Sequence, residues 1–151
     1  MATDTASVVL IDAILTALQD EETGLPAALT TYGLPAVKQW CFGARELVAI
    51  TNSPQIEVDL GAGPQKGAVG YVQRDDELIV IAQIASGDEE SLHRYLIGYA
   101  DVICGVLETI AAPKIAVVDI DRGPQMSKGN ALFRSVAVVG KIVTARNRGD
   151  I

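Results

Sequence analysis

The stretch LIVIAQIASGDEESLHRYLIGYADVICGVLETIAAP, residues 78–113, decides the fold. Residues 78–85 are almost continuously apolar, which is typical of a β-strand that is buried on both faces. A helix is predicted to follow this strand, because Ser86 and Glu89 have the spacing of a capping box at a helix N-terminus. Pro113 is predicted to end the helix. One apolar stripe follows this helix: Leu92, Tyr95, Leu96, Tyr99, Ile103, Val106, Leu107 and Ile110. At roughly 35 Å, the helix is long enough to cross a whole sheet.

A shorter amphipathic helix is predicted over residues 7–19, where apolar residues recur every three or four positions. It ends at the acidic run 20–22, because negative charge is unfavourable at a helix C-terminus. Glycines and prolines then interrupt residues 23–43. Because large apolar side chains lie between them, we expect this segment to pack on the core or on a partner.

The other segments have the alternating or continuously apolar character of strands. Strands are predicted over residues 45–51, 55–60, 68–73, 78–85, 114–121 and 132–145, with turns or loops at 61–64, 74–76 and 122–130. The last strand is apolar on both faces, so both should be covered, and its Gly140 predicts a bulge or a close contact. Helices and strands do not alternate regularly. We therefore predict one domain, residues 1–151, with an α+β fold: a mainly antiparallel β-sheet with two α-helices packed on one face.

The charge of the chain is unevenly distributed. The net charge is −7, which argues against binding nucleic acid through its phosphates. Residues 1–121 carry 6 basic and 18 acidic residues, whereas residues 122–151 carry 6 basic residues and 1 acidic residue. This pattern fits either an uneven solvated surface or a protomer whose basic end faces an acidic surface on a neighbour.

The sequence also bears on the cellular setting. No apolar run approaches the roughly 20 residues that span a bilayer, and the polar N-terminus lacks the pattern of a secretory signal. Cys41 and Cys104 are far apart and show neither disulfide nor zinc spacing. We expect Cys104 to be a small buried hydrophobe and the chain to be made in a reducing cytoplasm.

Candidate catalytic groups are sparse. His93 is the only histidine, and no Ser or Cys lies in a nucleophile-elbow setting. The acidic run 75–77 lies in a predicted turn, and residues 88–90 lie in the first turn of a helix, where acidic side chains are favoured. Asp119 and Asp121 share one face of a strand, where an exposed strand end is a simpler interpretation than a cation site. We predict no catalytic centre, no cofactor and no metal.

Three pieces of the sequence form a recognisable layout. A short N-terminal helix comes first, a buried strand (ELIVIA, 77–82) leads into DEESLHRYLIGYAD (88–101), and GNALFRSVAV (129–138) opens a long last strand after a polar loop. This layout resembles that of phage tail terminator proteins, also called tail completion or head-tail joining proteins. The similarity covers most of the chain and concerns layout, residue type, size and acidity.

The resemblance implies a virion structural protein that forms a ring, typically a hexamer, at the head-proximal end of the tail. Such a ring ends tail-tube growth and joins the tail to the head connector. The implied partners are further copies of the chain, the tail-tube protein and the connector or stopper protein. DNA would pass through the lumen without specific binding, and acidic side chains there would repel it. The implied location is the virion, with synthesis in the host cytoplasm and no membrane contact.

A closed ring needs heterologous interfaces, in which one surface of a protomer meets a different surface of the next. We expect these contacts in the apolar segment 25–42 and in the last strand. The candidate interface residues are Leu29, Tyr32, Leu34, Trp40, Phe42, Phe133, Arg134 and Lys141. Two alternatives stay open: another phage neck or tail-tube subunit, and a small cytoplasmic enzyme with an active site between subunits, using His93 or the Asp119–Asp121 strand end.

Overall fold

The computed structural model describes residues 4–43, 53–61, 77–111 and 114–143. The elements are α1 (Ala6–Gln19), α2 (Leu25–Thr31), β1 (Gln39–Phe42), β2 (Gln55–Gly61), β3 (Glu77–Ser86), α3 (Glu89–Thr109), β4 (Lys114–Arg122), β5 (Met126–Lys128) and β6 (Ala131–Val143). The predicted fold class is confirmed: the fold is mixed α+β, and its sheet is mostly antiparallel.

The described strands form one sheet in the order β1-β2-β3-β6-β4, and β5 also pairs with β6. The pairing of β1 with β2 is parallel, and the other pairings are antiparallel. The longest pairing joins β3 to β6, from Glu77 opposite Lys141 to Ser86 opposite Leu132. These two strands are therefore the centre of the sheet, and β4 with β5 forms one edge.

The core lies between the sheet and the helices. Alternate residues of β3 point toward the helices and are buried: Leu78, Val80, Ala82 and Ile84. They pack in one cluster with buried residues of α1, α3 and β6. Each fully buried Leu, Val or Ile side chain of this kind stabilises the fold by roughly 1.5–3 kcal/mol relative to its exposed state.

The long helix α3 begins after a different cap from the one that the sequence predicts. The N-cap residue is Asp88, whose carboxylate accepts a hydrogen bond from the Ser91 amide at 2.8 Å. Ser86 instead accepts a hydrogen bond from the Asp88 amide at 3.2 Å, so the predicted capping box of Ser86 and Glu89 is wrong. The reason is that the backbone is still extended at Asp88, and helical geometry starts only at Glu89.

The part of the chain that the structure describes has three helices where the sequence predicts two. The additional helix, α2, starts with Pro26 in its first turn, a position where proline is tolerated because its missing N–H has no helical partner there. Strand β1 was not predicted, and strand β5 lies inside the predicted loop 122–130. The predicted strands 45–51 and 68–73 and the turn 74–76 lie outside the described residues, as do most of the turn 61–64 and the end of the last strand.

Gly140 is a position of close contact, as the sequence predicts. It lies between Leu78 of β3 and Val117 of β4 in the sheet register. A Cβ atom at this position would lie 2.5 Å from the Cγ2 atom of Ile115. The irregularity in the pairing lies on the neighbouring strand instead, between Val117 and Asp119 of β4.

Candidate functional site

Two of the predicted interface residues are buried in the chain itself. Leu29 is 1% exposed and belongs to the core cluster, and Phe133 is 2% exposed. Neither side chain is accessible in the single chain, which argues against a subunit contact at these two positions. The sequence pattern does not distinguish the two cases. A large apolar residue between helix breakers, or on a strand with two apolar faces, is expected both when it packs within the chain and when it packs against a partner.

The other predicted interface residues are at least partly accessible. Tyr32 is 73% exposed, and Phe42 and Lys141 are also exposed. Leu34 and Trp40 are half-buried and pack against the core. Arg134 is half-buried as well. The structure does not bring these residues together on one surface: Tyr32 and Leu34 lie at a groove between helices, whereas Arg134 and Lys141 lie on β6.

The groove between α2 and α3 has a volume of about 580 Å³. Its described lining comes from residues 23–34 and 98–109. Leu34 lies directly over Gly98, where an added Cβ atom would approach the Leu34 methyl groups to 2.9 Å. Gly105, by contrast, has open space beyond its Cα, because an added Cβ atom there would meet nothing within 4 Å. Gly98 therefore lets Leu34 pack closely on α3, and Gly105 leaves open space in the groove, which we call the helix groove.

The helix groove is bordered by negative charge. Asp101 lines it, and Thr23 at its other wall follows directly on the acidic run 20–22. Asp20 accepts hydrogen bonds from the amides of Glu22 and Thr23 at 2.8 and 3.0 Å, and these bonds lower the pKa of its carboxyl group. Residues 4–37 contain no Lys or Arg. No described basic side chain of this segment therefore offsets the negative charge.

The edge of the sheet formed by β4 and β5 differs from the helix groove in the charge of its exposed side chains. Large apolar side chains are exposed along it at Val118, Ile120 and Met126, and Met126 is 49% exposed. Arg122 and Lys128 are exposed beside them. The described residues 122–143 carry four basic residues and no acidic one. We call residues 118–130 the edge arm: it is an exposed strand with the acidic Asp119 and Asp121 at its base and the basic Arg122 and Lys128 around its tip.

Arg134 fixes the edge arm to the rest of the fold. Its Nε donates a hydrogen bond to the Gly123 carbonyl oxygen at 2.8 Å, at the point where the chain leaves β4. Its Nη1 lies 3.5 Å from Nδ1 of His93 on α3, and Nε2 of His93 lies 3.8 Å from the Glu89 carboxylate. The single histidine thus takes part in a link between α3 and the edge arm.

A polar cluster is buried on the sheet face opposite the helices. Glu57 is 0% exposed, and its Oε2 accepts hydrogen bonds from the side-chain amides of Gln55 and Gln83, at 2.9 and 2.5 Å. The alternation of β2 predicts an exposed Glu57, so the sequence gives no sign of this cluster. A buried carboxylate held by two amide donors is a satisfied structural network, which helps to specify the register between β2 and β3.

The remaining candidate groups do not converge in the part of the chain that the structure describes. There, no group of three or more His, Cys, Asp or Glu side chains could hold a metal ion. Burial, together with Glu108 and Asp101, raises the pKa of the Cys104 thiol, which disfavours the reactive thiolate. Cys104 is half-buried rather than buried, and both cysteines are free. Among the described helices, none is long and apolar enough to cross a membrane.

In comparisons with known proteins, the chain matches no family model and no curated protein.

Proposed function

We propose that this chain is a structural subunit of a phage tail, a tail terminator that assembles into a ring at the head-proximal end of the tail. The ring ends growth of the tail tube and joins the tail to the head connector. The proposal starts from the resemblance of the sequence layout to that family. The α+β fold with a mostly antiparallel sheet is compatible with it.

The observation that carries the proposal is the presence of two unlike exposed surfaces on one small chain. The helix groove is apolar with an acidic border, and the edge arm is apolar with a basic tip. Exposed apolar patches mark interaction sites, so both surfaces are candidates for subunit contacts. Surfaces that differ in shape and charge suit a head-to-tail contact, which closes into a ring when the rotation per subunit permits.

The first test is the mass of the purified protein by light scattering, over a range of protein and salt concentrations. We expect a closed ring, visible by electron microscopy as a particle with a central hole. Rising salt should loosen it, because salt screens contacts between exposed charges. A protein that stays monomeric at every concentration, or that forms only a two-fold dimer, would contradict the proposal.

A second measurement separates this proposal from the enzyme alternative. His93→Ala removes the only histidine, and its effect on ring mass should be small. An enzyme that used His93 as a base would lose about 10²–10⁴-fold in rate. Loss of a measured activity in His93→Ala, with the fold intact, would favour the enzyme.

A further inference from the structure

We infer that the edge arm of one copy docks in the helix groove of the next copy, with Met126 as its apolar anchor. The inference rests on the proposed ring and deepens it by naming the two surfaces that meet. It commits to one occupant of the groove, a second copy of this chain.

Charge complementarity favours this occupant. Arg122 and Lys128 are exposed on either side of Met126 at the tip of the arm, and the two acidic residues of the arm, Asp119 and Asp121, lie before the tip. The groove offers Asp101 within its lining and the acidic run 20–22 at its edge. Basic and acidic patches that meet in this way steer association and fix the orientation of the partners.

The two surfaces also match in shape and polarity. Met126 is a flexible, unbranched side chain of the kind that fills irregular apolar spaces. The groove has open space beyond Gly105 and an exposed aromatic ring, Tyr32, in its lining. Aromatic residues and methionine are enriched in the cores of protein interfaces.

The arm of the same chain cannot fill the groove. Strands β4 and β5 are both paired to β6, and Arg134 holds the turn at Gly123, so the edge arm is fixed within its own sheet. No residue of these strands is among the described residues that line the groove. Each contact between two copies therefore leaves one free arm and one free groove, which allows the assembly to continue until it closes.

The test uses one variant for each surface. Gly105→Leu fills the groove without a clash, because the space beyond Gly105 is open. Met126→Glu places a carboxylate in the arm, where it would face the acidic groove. Val9→Glu is the matched control, since Val9 is exposed on α1 away from both surfaces. Circular dichroism establishes that each variant is folded, and light scattering gives its mass.

We expect the wild type and Val9→Glu to form rings, and Gly105→Leu and Met126→Glu each to be monomeric. An equal mixture of the two monomeric variants should give a heterodimer and nothing larger, because one intact arm and one intact groove remain.

A second experiment exchanges the charges of one acidic and one basic residue across the proposed contact. Asp101→Lys should weaken the ring, Arg122→Asp in the same chain should restore part of it, and Asp12→Lys should leave it intact.

The outcomes separate this inference from the proposed function. If the wild type forms rings and either surface variant does so equally well, the docking of arm in groove is overturned and the ring proposal stands. If the mixture of variants gives no heterodimer, the two surfaces do not meet, and the inference is likewise overturned. If the wild type is monomeric at every concentration, both the inference and the proposed ring fail.

Discussion

The central strand β3 and the edge strand β4 look alike in sequence and differ in almost every physical respect. Both are rich in Val, Ile and Ala, yet alternate residues of β3 are 0–1% exposed while Val118 and Ile120 of β4 are exposed. The difference comes from position in the sheet: among the described strands, β3 has a neighbour on each side, and β4 has one only on the β6 side. Apolar residues in β3 therefore hold the fold together, and in β4 the exposed Val118 and Ile120 are available to a partner while Ile115 is buried.

The largest effect that tests this comparison is a pair of truncations. Leu78→Ala in β3 removes a fully buried side chain and should lower the free energy of unfolding by about 2–5 kcal/mol. Ile120→Ala in β4 should change it by a clearly smaller amount, about 1 kcal/mol, since Ile120 is already 42% exposed in the folded chain. Chemical denaturation of both variants measures the difference. Equal losses would mean that β4 is as much a part of the core as β3.

Gly140 joins the two strands, because it pairs with Leu78 on one side and Val117 on the other. Gly140→Ala should destabilise the fold by about 1–3 kcal/mol, since the new methyl group would meet Ile115 at 2.5 Å. The matched control is Gly105→Ala, which has open space and should stabilise α3 by up to about 1 kcal/mol. Thermal melting of both variants should show shifts of opposite sign, and a stabilising Gly140→Ala would contradict the close contact.

A third test compares two acids in one cross-strand row. Glu57, Ile81, Ala137 and Asp121 lie opposite one another across β2, β3, β6 and β4. Glu57→Ala removes the acceptor of two buried amides and should cost about 1–3 kcal/mol. Asp121→Ala, at the exposed edge, should cost less than about 0.5 kcal/mol. Urea denaturation measures the free energy of unfolding of both variants. Equal decreases would mean that the Asp121 carboxylate contributes as much to stability as the buried Glu57 carboxylate.

The smallest effect concerns Asp88, which caps the helix that follows β3. The hydrogen bond from the Ser91 amide lowers the pKa of its carboxyl group in the folded state. Because this pKa is lower in the folded than in the unfolded state, the carboxylate stabilises the fold at pH values above the ordinary aspartate pKa of about 4. This contribution to stability is lost as the pH falls through the folded-state pKa. Asp88→Asn should therefore flatten the decline of stability below that pH. An unchanged acid profile would mean that the carboxylate contributes nothing to the cap.

The sequence predicts the long elements and misses the short ones. Strand β3 and helix α3 are identified because their apolar patterns extend over many residues and end at clear signals such as Pro113. The short elements α2 and β5 have too few residues for a period to be recognised, and packing rather than propensity determines them. The sequence also does not show whether a strand lies at the centre or at the edge of the sheet. It therefore does not show that Glu57 is buried while Asp121 is exposed.

The candidate site is harder to predict than the fold because it depends on contacts between distant segments. The helix groove needs Tyr32 and Leu34 to meet residues of α3 that lie far along the chain. Its one local signal is the spacing of Gly98 and Gly105, two turns apart on the same helix. The charge asymmetry is visible in the sequence and places the tip of the edge arm in the basic part of the chain, but it does not show which apolar residues are accessible.

The crowding at Gly140 also constrains how this sequence can diverge. A methyl group at position 140 and the full side chain of Ile115 cannot occupy the same space. Substitutions at these two positions should therefore be coupled, with alanine at 140 accompanied by a residue at 115 that lacks the clashing Cγ2 atom, such as alanine. Homologues collected from related genomes would reveal this as correlated variation, and an evolutionary path between the two states would pass first through the smaller residue at 115.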